Sequence, residues 1–243
     1  ACSRFYPDCQ RFELVSPILR GGKGLNECNN VLNALDMLQS IKVNKTMGFH
    51  VHVNVQGMSV KNLTKVCQNF IKYEDVMDTF LPPSRRTGSP QSLRYCKSNK
   101  SVIVGRDATN GQRHQRLSKC KTVEQLCNIM NPNDDRYFKL NLINLKTRRQ
   151  PTIEFRQHSA TSNYTKVSGW VRFCMAMVYN SANQDTPAAF KSTRSLEYQF
   201  DALFDELVQD RRCRQHFEQR QKDVRDDACC DSCAHDGPCN GQL

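Results

Sequence analysis

The sequence has no run approaching the roughly 18–20 consecutive apolar residues that cross a bilayer, so no membrane span is expected. It also lacks the zinc-finger spacing, the RNP signature and the continuous basic helix of the common nucleic-acid modules. Gly21-Gly22-Lys23-Gly24 has no Gly-Lys-Ser/Thr ending, which removes the phosphate-loop reading and leaves a plain turn. No Ser/His/Asp or Cys/His nucleophile motif stands out, and there is no internal repeat or domain linker. No secretory signal pattern opens the sequence at Ala1, which is not an initiator methionine, so a processed or trimmed chain is expected. Tryptophan occurs once, as Trp170 on an apolar helix face, and is assigned to the core.

Acidic side chains are in deficit. Against 35 Lys and Arg stand 24 Asp and Glu, a net charge of +11. That balance favours anionic partners, whether nucleotide phosphates or a polyanion. Cysteine, by contrast, is plentiful at 13 residues. Cys28, Cys67, Cys127 and Cys174 fall at apolar helical positions, where a buried thiol acts as a small hydrophobe. Cys229, Cys230, Cys233 and Cys239 crowd the C-terminal end with His235, in a spacing that fits no common zinc module. Four Asn-x-Ser/Thr sequons begin at Asn44, Asn62, Asn99 and Asn163. Composition therefore leaves the compartment open: cytoplasmic with free thiols, or secreted with disulfides.

At 243 residues, with 38% hydrophobic and 24% charged side chains, the chain can bury one substantial core. We expect a single domain over 1–217, interrupted by a long basic loop at 82–116, and a charged Cys-rich tail at 218–243. An amphipathic helix is expected over Leu25–Leu38 and another from about Ser59, with the Ser59 hydroxyl as N-cap. Thr122 to Gln125 reads as a capping box, and two long helices follow around Trp170 and Leu203.

The chemistry lies on the strands. Side chains alternate along a strand, so in Phe49 to Val55 the residues Phe49, Val51, Val53 and Val55 face one way and His50, His52 and Asn54 the other. Arg136 to Leu142 separates Phe138, Leu140 and Leu142 from Tyr137, Lys139 and Asn141. Thr152 to His158 separates Ile153 and Phe155 from Glu154, Arg156 and His158, and Arg11 to Val15 separates Phe12 and Leu14 from Glu13. The expected fold is α+β: an antiparallel sheet with helices packed on one face and a polar cleft on the other.

These segments, in this order, resemble the amidoligase family: Phe12-Glu13-Leu14-Val15-Ser16-Pro17, His50-Val51-His52-Val53-Asn54, Pro82-Pro83-Ser84-Arg85-Arg86, and Ile153-Glu154-Phe155-Arg156-Gln157-His158. The resemblance implies a catalytic domain like that of glutamine synthetase and an ATP-dependent carboxylate–amine ligase. Such an enzyme joins a peptide or small carboxylate to an amine through an acyl phosphate. It further implies Mg²⁺, with Glu13, His50 and Glu154 as metal ligands. His52 would contact phosphate, Arg156 would steady the transferring phosphoryl group with help from Lys139, and Asn54, Arg85, Arg86 and Asn141 would serve the nucleotide. Members place a Glu-x-Glu strand upstream, and no Glu-x-Glu occurs in this sequence. Its loss would leave a sheet edge open to a second copy or a partner strand. Two other outcomes follow from the same residues: a repurposed descendant that binds an anionic ligand or polymer, and a metal-dependent hydrolase or nuclease in the same cleft.

Overall fold

The computed structural model describes residues 12–38, 41, 43, 44, 46–190 and 194–230, the last five as backbone only. The chain divides into two compact units, 1–42 and 43–243. In the first, α1 spans Gly21–Met37. Phe12 to Val15, expected as a strand, has no regular structure, and Phe12, Leu14 and Val15 are exposed. A strand is stabilised through its ladder, and no other strand is described in this unit. The expected Gly-rich turn is instead the first turn of α1, which closes with Gly24 N–H donating to the Arg20 carbonyl. Gly24 packs so tightly on Leu19 that a β-carbon there would lie 2.8 Å from Leu19 Cβ.

The second unit is α+β. The strands described in it are β1 (Gly48–Asn54), β2 (Leu140–Asn141) and β3 (Thr152–Ser159), in the antiparallel order β1-β3-β2. The helices described are α2 (Val60–Asp78), α3 (Pro90–Tyr95), α4 (Asn110–Ser118), α5 (Val123–Met130), α6 (Ile143–Lys146), α7 (Tyr164–Asn183), α8 (Leu196–Ala202) and α9 (Arg211–Cys230); α8 widens into a π-helix over Leu203–Val208. The Ser59 hydroxyl caps α2 by accepting from Asn62 N at 3.2 Å. Thr122 likewise caps α5, whereas the complete capping box is at Thr109 and Gln112 on α4.

Core and site are laid down by the strand register. Val51, Phe155 and Leu140 form one row across the three strands, all buried in the hydrophobic core, with the Phe155 ring edge-on to Phe70 of α2 and Trp170 of α7. The row beside it reads His52, Glu154, Asn141. Behind the sheet, Trp170 stacks on Phe173 with ring centroids 5.2 Å apart, and Phe217 of α9 packs edge-on against both.

Three further expectations change. The segment 82–116 is not a structureless loop: it holds α3, much of α4 and two short 3₁₀ turns. Strand 136–142 shrinks to Leu140–Asn141, because Phe138 bridges in parallel to Lys97 instead of to β3. The tail expected from 218 meets a helix running through Phe217 to Cys230, with Val224 fully buried. Cys233, Cys239 and His235 lie outside the described residues.

Cys28, Cys67, Cys96, Cys120, Cys127, Cys174 and Cys213 are free thiols, so the disulfides of a secreted protein find no support among the described residues. No described helix is long and apolar enough to cross a membrane. The sequon at Asn99 is closed off: this asparagine is buried and its amide donates to the Met130 and Leu140 carbonyls.

Candidate active site

Glu154 is where the polar side chains meet. Central strand β3 puts it opposite His52 on one side and Asn141 on the other. Its Oε2 accepts from Asn141 Nδ2 at 2.7 Å, and its Oε1 accepts from the Arg156 guanidinium, two residues along on the same face. His50 Nδ1 lies 3.2 Å and His52 Nε2 3.7 Å from Oε1. The carboxylate itself is buried, while the His50 and His52 side chains keep 28% and 40% of their surface. The imidazoles therefore open to solvent and the charge beneath them does not.

Burial lowers His50 to about 4, assisted by Arg156, Arg85 and His52 and opposed by Glu154. Its imidazole is thus neutral at physiological pH. His52 is oriented from its other side: Nδ1 sits 3.3 Å from Thr152 Oγ1 and 3.4 Å from Asn144 Nδ2. Because the Asn144 amide donates, Nδ1 accepts and the proton of a neutral His52 resides on Nε2, towards Glu154.

Gly48 gives His50 its space. A β-carbon at Gly48 would fall 2.8 Å from His50 Nε2, and the Arg85 guanidinium lies just behind. Arg85 is almost fully buried and donates to the Met47 carbonyl, so it braces the start of β1 and does not face an open nucleotide pocket. Arg86 turns away, donating to the carbonyls of Leu81 and Val224. Asn54 ends β1 in a turn, its Oδ1 accepting from Gln56 N.

Lys139 is not brought to Glu154. It is completely buried, with Nζ 2.5 Å from Asp78, 3.6 Å from Glu74 and 2.7 Å from Thr87 Oγ1. Burial pulls its pKa down, but the two carboxylates more than compensate and hold the ammonium above the usual lysine value. His158 is not in the cleft either. Phe49 pairs with His158 and Val51 with Phe155, so β3 carries an extra residue between them. This bulge turns His158 onto the core side, where it packs against Phe49 and Trp170 and burial pushes its pKa down to about 3. Glu13 belongs to the first unit, on its exposed irregular segment.

Mg²⁺ prefers several oxygen ligands, typically carboxylates and water. The second unit offers one carboxylate here, with both oxygens already engaged by Arg156 and Asn141, and two imidazoles. Among the described residues no group of three or more acidic, His or Cys side chains is arranged to hold a metal. This donor set does not fit Mg²⁺.

Strand alternation singled out His50, His52, Glu154 and Arg156, which the structure clusters. Asn144 and Thr152 were missed: Thr152 shares the Glu154 face of β3 but is an ordinary polar residue, and Asn144 reaches His52 only through the β2–α6–β3 connection. No curated protein and no solved structure matches the chain. Residues 4–178 match the model of the family described as "putative amidoligase enzyme". With most of its length matched in this way, the chain belongs to the amidoligase family.

Proposed function

We propose that the chain is an ATP-dependent carboxylate–amine ligase of glutamine-synthetase-like design, acting on a peptide or small carboxylate and an amine. The observation that carries this reading is the convergence of His50, His52, Arg156 and Asn141 on Glu154, in a chain of a ligase family. A substrate carboxylate oxygen attacks the γ-phosphorus of ATP, ADP leaves, and an acyl phosphate forms. An amine nitrogen then bonds to the acyl carbon, the carbon–oxygen bond to phosphate breaks, and the nitrogen loses a proton. Arg156 is the fixed positive charge for the phosphoryl oxygens. Glu154, itself held by Asn141, keeps the guanidinium in place, and His52, the more exposed imidazole, offers its Nε2–H to a phosphate oxygen, while the amine's proton leaves to solvent. No step is assigned to a metal.

The test is release of ADP and phosphate from ATP with panels of carboxylates and amines, with and without Mg²⁺. Turnover that needs both substrates and disappears in His50→Ala/Glu154→Ala supports the reading. Full turnover in that variant, or none under any condition, ends it.

A second reading rests on the internal saturation of Glu154 and the +11 charge: a repurposed cleft that binds a polyanion without turnover. It predicts salt-sensitive binding of polyphosphate or heparin by a protein inert towards ATP. Under either reading β1 is an edge of the described sheet, where a second copy or a partner strand would add. Light scattering across a concentration series would detect the former.

A further inference from the structure

Two Arg-Tyr pairs, 42 positions apart in the sequence, lie side by side in the fold. Arg94-Tyr95 ends α3, and Arg136-Tyr137 precedes β2. The parallel bridge between Lys97 and Phe138 brings them together: Lys97 N–H donates to the Tyr137 carbonyl at 2.7 Å, and Lys139 N–H donates to the Lys97 carbonyl at 2.9 Å. The two phenol rings then meet edge to face, with centroids 6.3 Å apart. Each ring carries its own guanidinium, Arg94 at 5.7 Å from the Tyr95 centroid and Arg136 at 5.1 Å from that of Tyr137.

The cluster is continuous with the candidate site. The Arg156 guanidinium, which binds Glu154, also lies 5.4 Å from the Tyr137 ring centroid, so Tyr137 is flanked by two arginines. Arg156 Nε is buried and makes no hydrogen bond within the protein. Arg94, Tyr95 and Arg136 are exposed and Tyr137 is half-buried. The nearby carboxylates are committed, Glu154 to Arg156 and Asp135 to Lys97 at 2.6 Å. Arg136 also draws the Tyr137 phenol below its ordinary pKa, through a 3.3 Å hydrogen bond. Three guanidinium groups set against two neighbouring rings, one of them with a buried Nε left without a partner, suit a ligand with two properties at once: negative charge, and a planar π-system able to stack.

We propose that Tyr95 and Tyr137, with Arg94, Arg136 and Arg156, form a seat for an anion that carries a flat aromatic ring. Two sources offer that chemistry, a nucleoside triphosphate and an aromatic carboxylic acid. The proposal rests on the ligase reading only in treating Arg156 as part of the site, and its test involves binding alone.

Calorimetric titration of the full chain with matched pairs separates ring from charge: ATP against tripolyphosphate, and indole-3-acetate against acetate. In at least one pair the ring-bearing anion should bind about tenfold tighter or more, the usual scale of stacking on an aromatic side chain. The pair that shows the preference identifies the source. Tyr137→Phe should keep it, and Tyr137→Ala should lose it. Tyr95→Ala, at an exposed position, should weaken it without affecting the fold; circular dichroism of each variant checks that. Equal binding within both pairs, no binding of any probe, or a preference that survives both alanine variants would overturn the proposal. Ring preference without ADP release would sink the ligase reading and leave this one standing. ADP release without ring preference would do the reverse.

Discussion

His158 and Phe49 face each other across the β1–β3 pair with ring centroids 5.7 Å apart and planes at 89°, on the core side of the sheet. Glu154, an even number of residues away on the same strand, sits on the opposite side with His52. One extra residue in β3 separates the two environments, and the buried histidine has a consequence for pH.

Burial holds His158 near 3, whereas an unfolded histidine titrates near 6.5. Between those values the unfolded chain binds the extra proton, so stability is fully present above about pH 6.5 and is lost as pH falls towards 3. His50, lowered to about 4, contributes with the same sign. Urea unfolding at pH 6.5 and pH 5 should show His158→Phe flattening the decline by about 2 kcal/mol. An unchanged slope would mean that His158 is not buried neutral.

Removing the Arg156 charge should be costly because Glu154 is buried. Arg156→Met leaves that carboxylate with only Asn141 as a strong partner, and a loss of about 3–5 kcal/mol is expected in chemical denaturation. Arg156→Met with Glu154→Gln should recover much of it.

Lys139 should behave as a structural ion. Lys139→Met strands Glu74, whose pKa complete burial already raises, and leaves Asp78 without its closest cation. Destabilisation of about 3–5 kcal/mol is expected, partly relieved by adding Glu74→Gln. ATP-analogue affinity in protein that remains folded should stay close to wild type.

Gly48→Ala tests the seat of His50. The new methyl would overlap the imidazole, so ATP-analogue affinity should fall at least as far as in His50→Ala. An unchanged affinity would remove His50 from the binding surface.

Gly169 is the helix-packing counterpart. A β-carbon there would lie 2.6 Å from the His216 ring, so Gly169→Ala should cost about 1–3 kcal/mol by forcing α7 and α9 apart. Pairing it with His216→Ala should return most of that in a double-mutant cycle.

Period-two alternation exposed the His50/His52 face and the Glu154/Arg156 face because both strands are long enough for the pattern to repeat. The helices around Leu63 and Trp170 were legible for the same reason, their apolar spacing running through several turns. His158 was misplaced because a bulge leaves no mark on an alternating sequence. Lys139 was misplaced because its partners, Glu74 and Asp78, come from a helix some sixty residues away. Phe12 to Val15 alternates as a strand would, but alternation does not supply a neighbour. The helices within 82–116 escaped notice because short helices hold too few apolar residues to show a period. Their capping residues, Ser89 and Thr109, were the signals available.

The bridge between Lys97 and Phe138 means that the chain leaves the site's rim and returns to it at adjacent backbone positions. Everything between, including α4 and α5, is an excursion with neighbouring ends. Evolution could lengthen, shorten or replace its outer turns while β3 and its row of polar residues stayed in place. Relatives that differ mainly in this span would then differ in what they recognise more than in what they do.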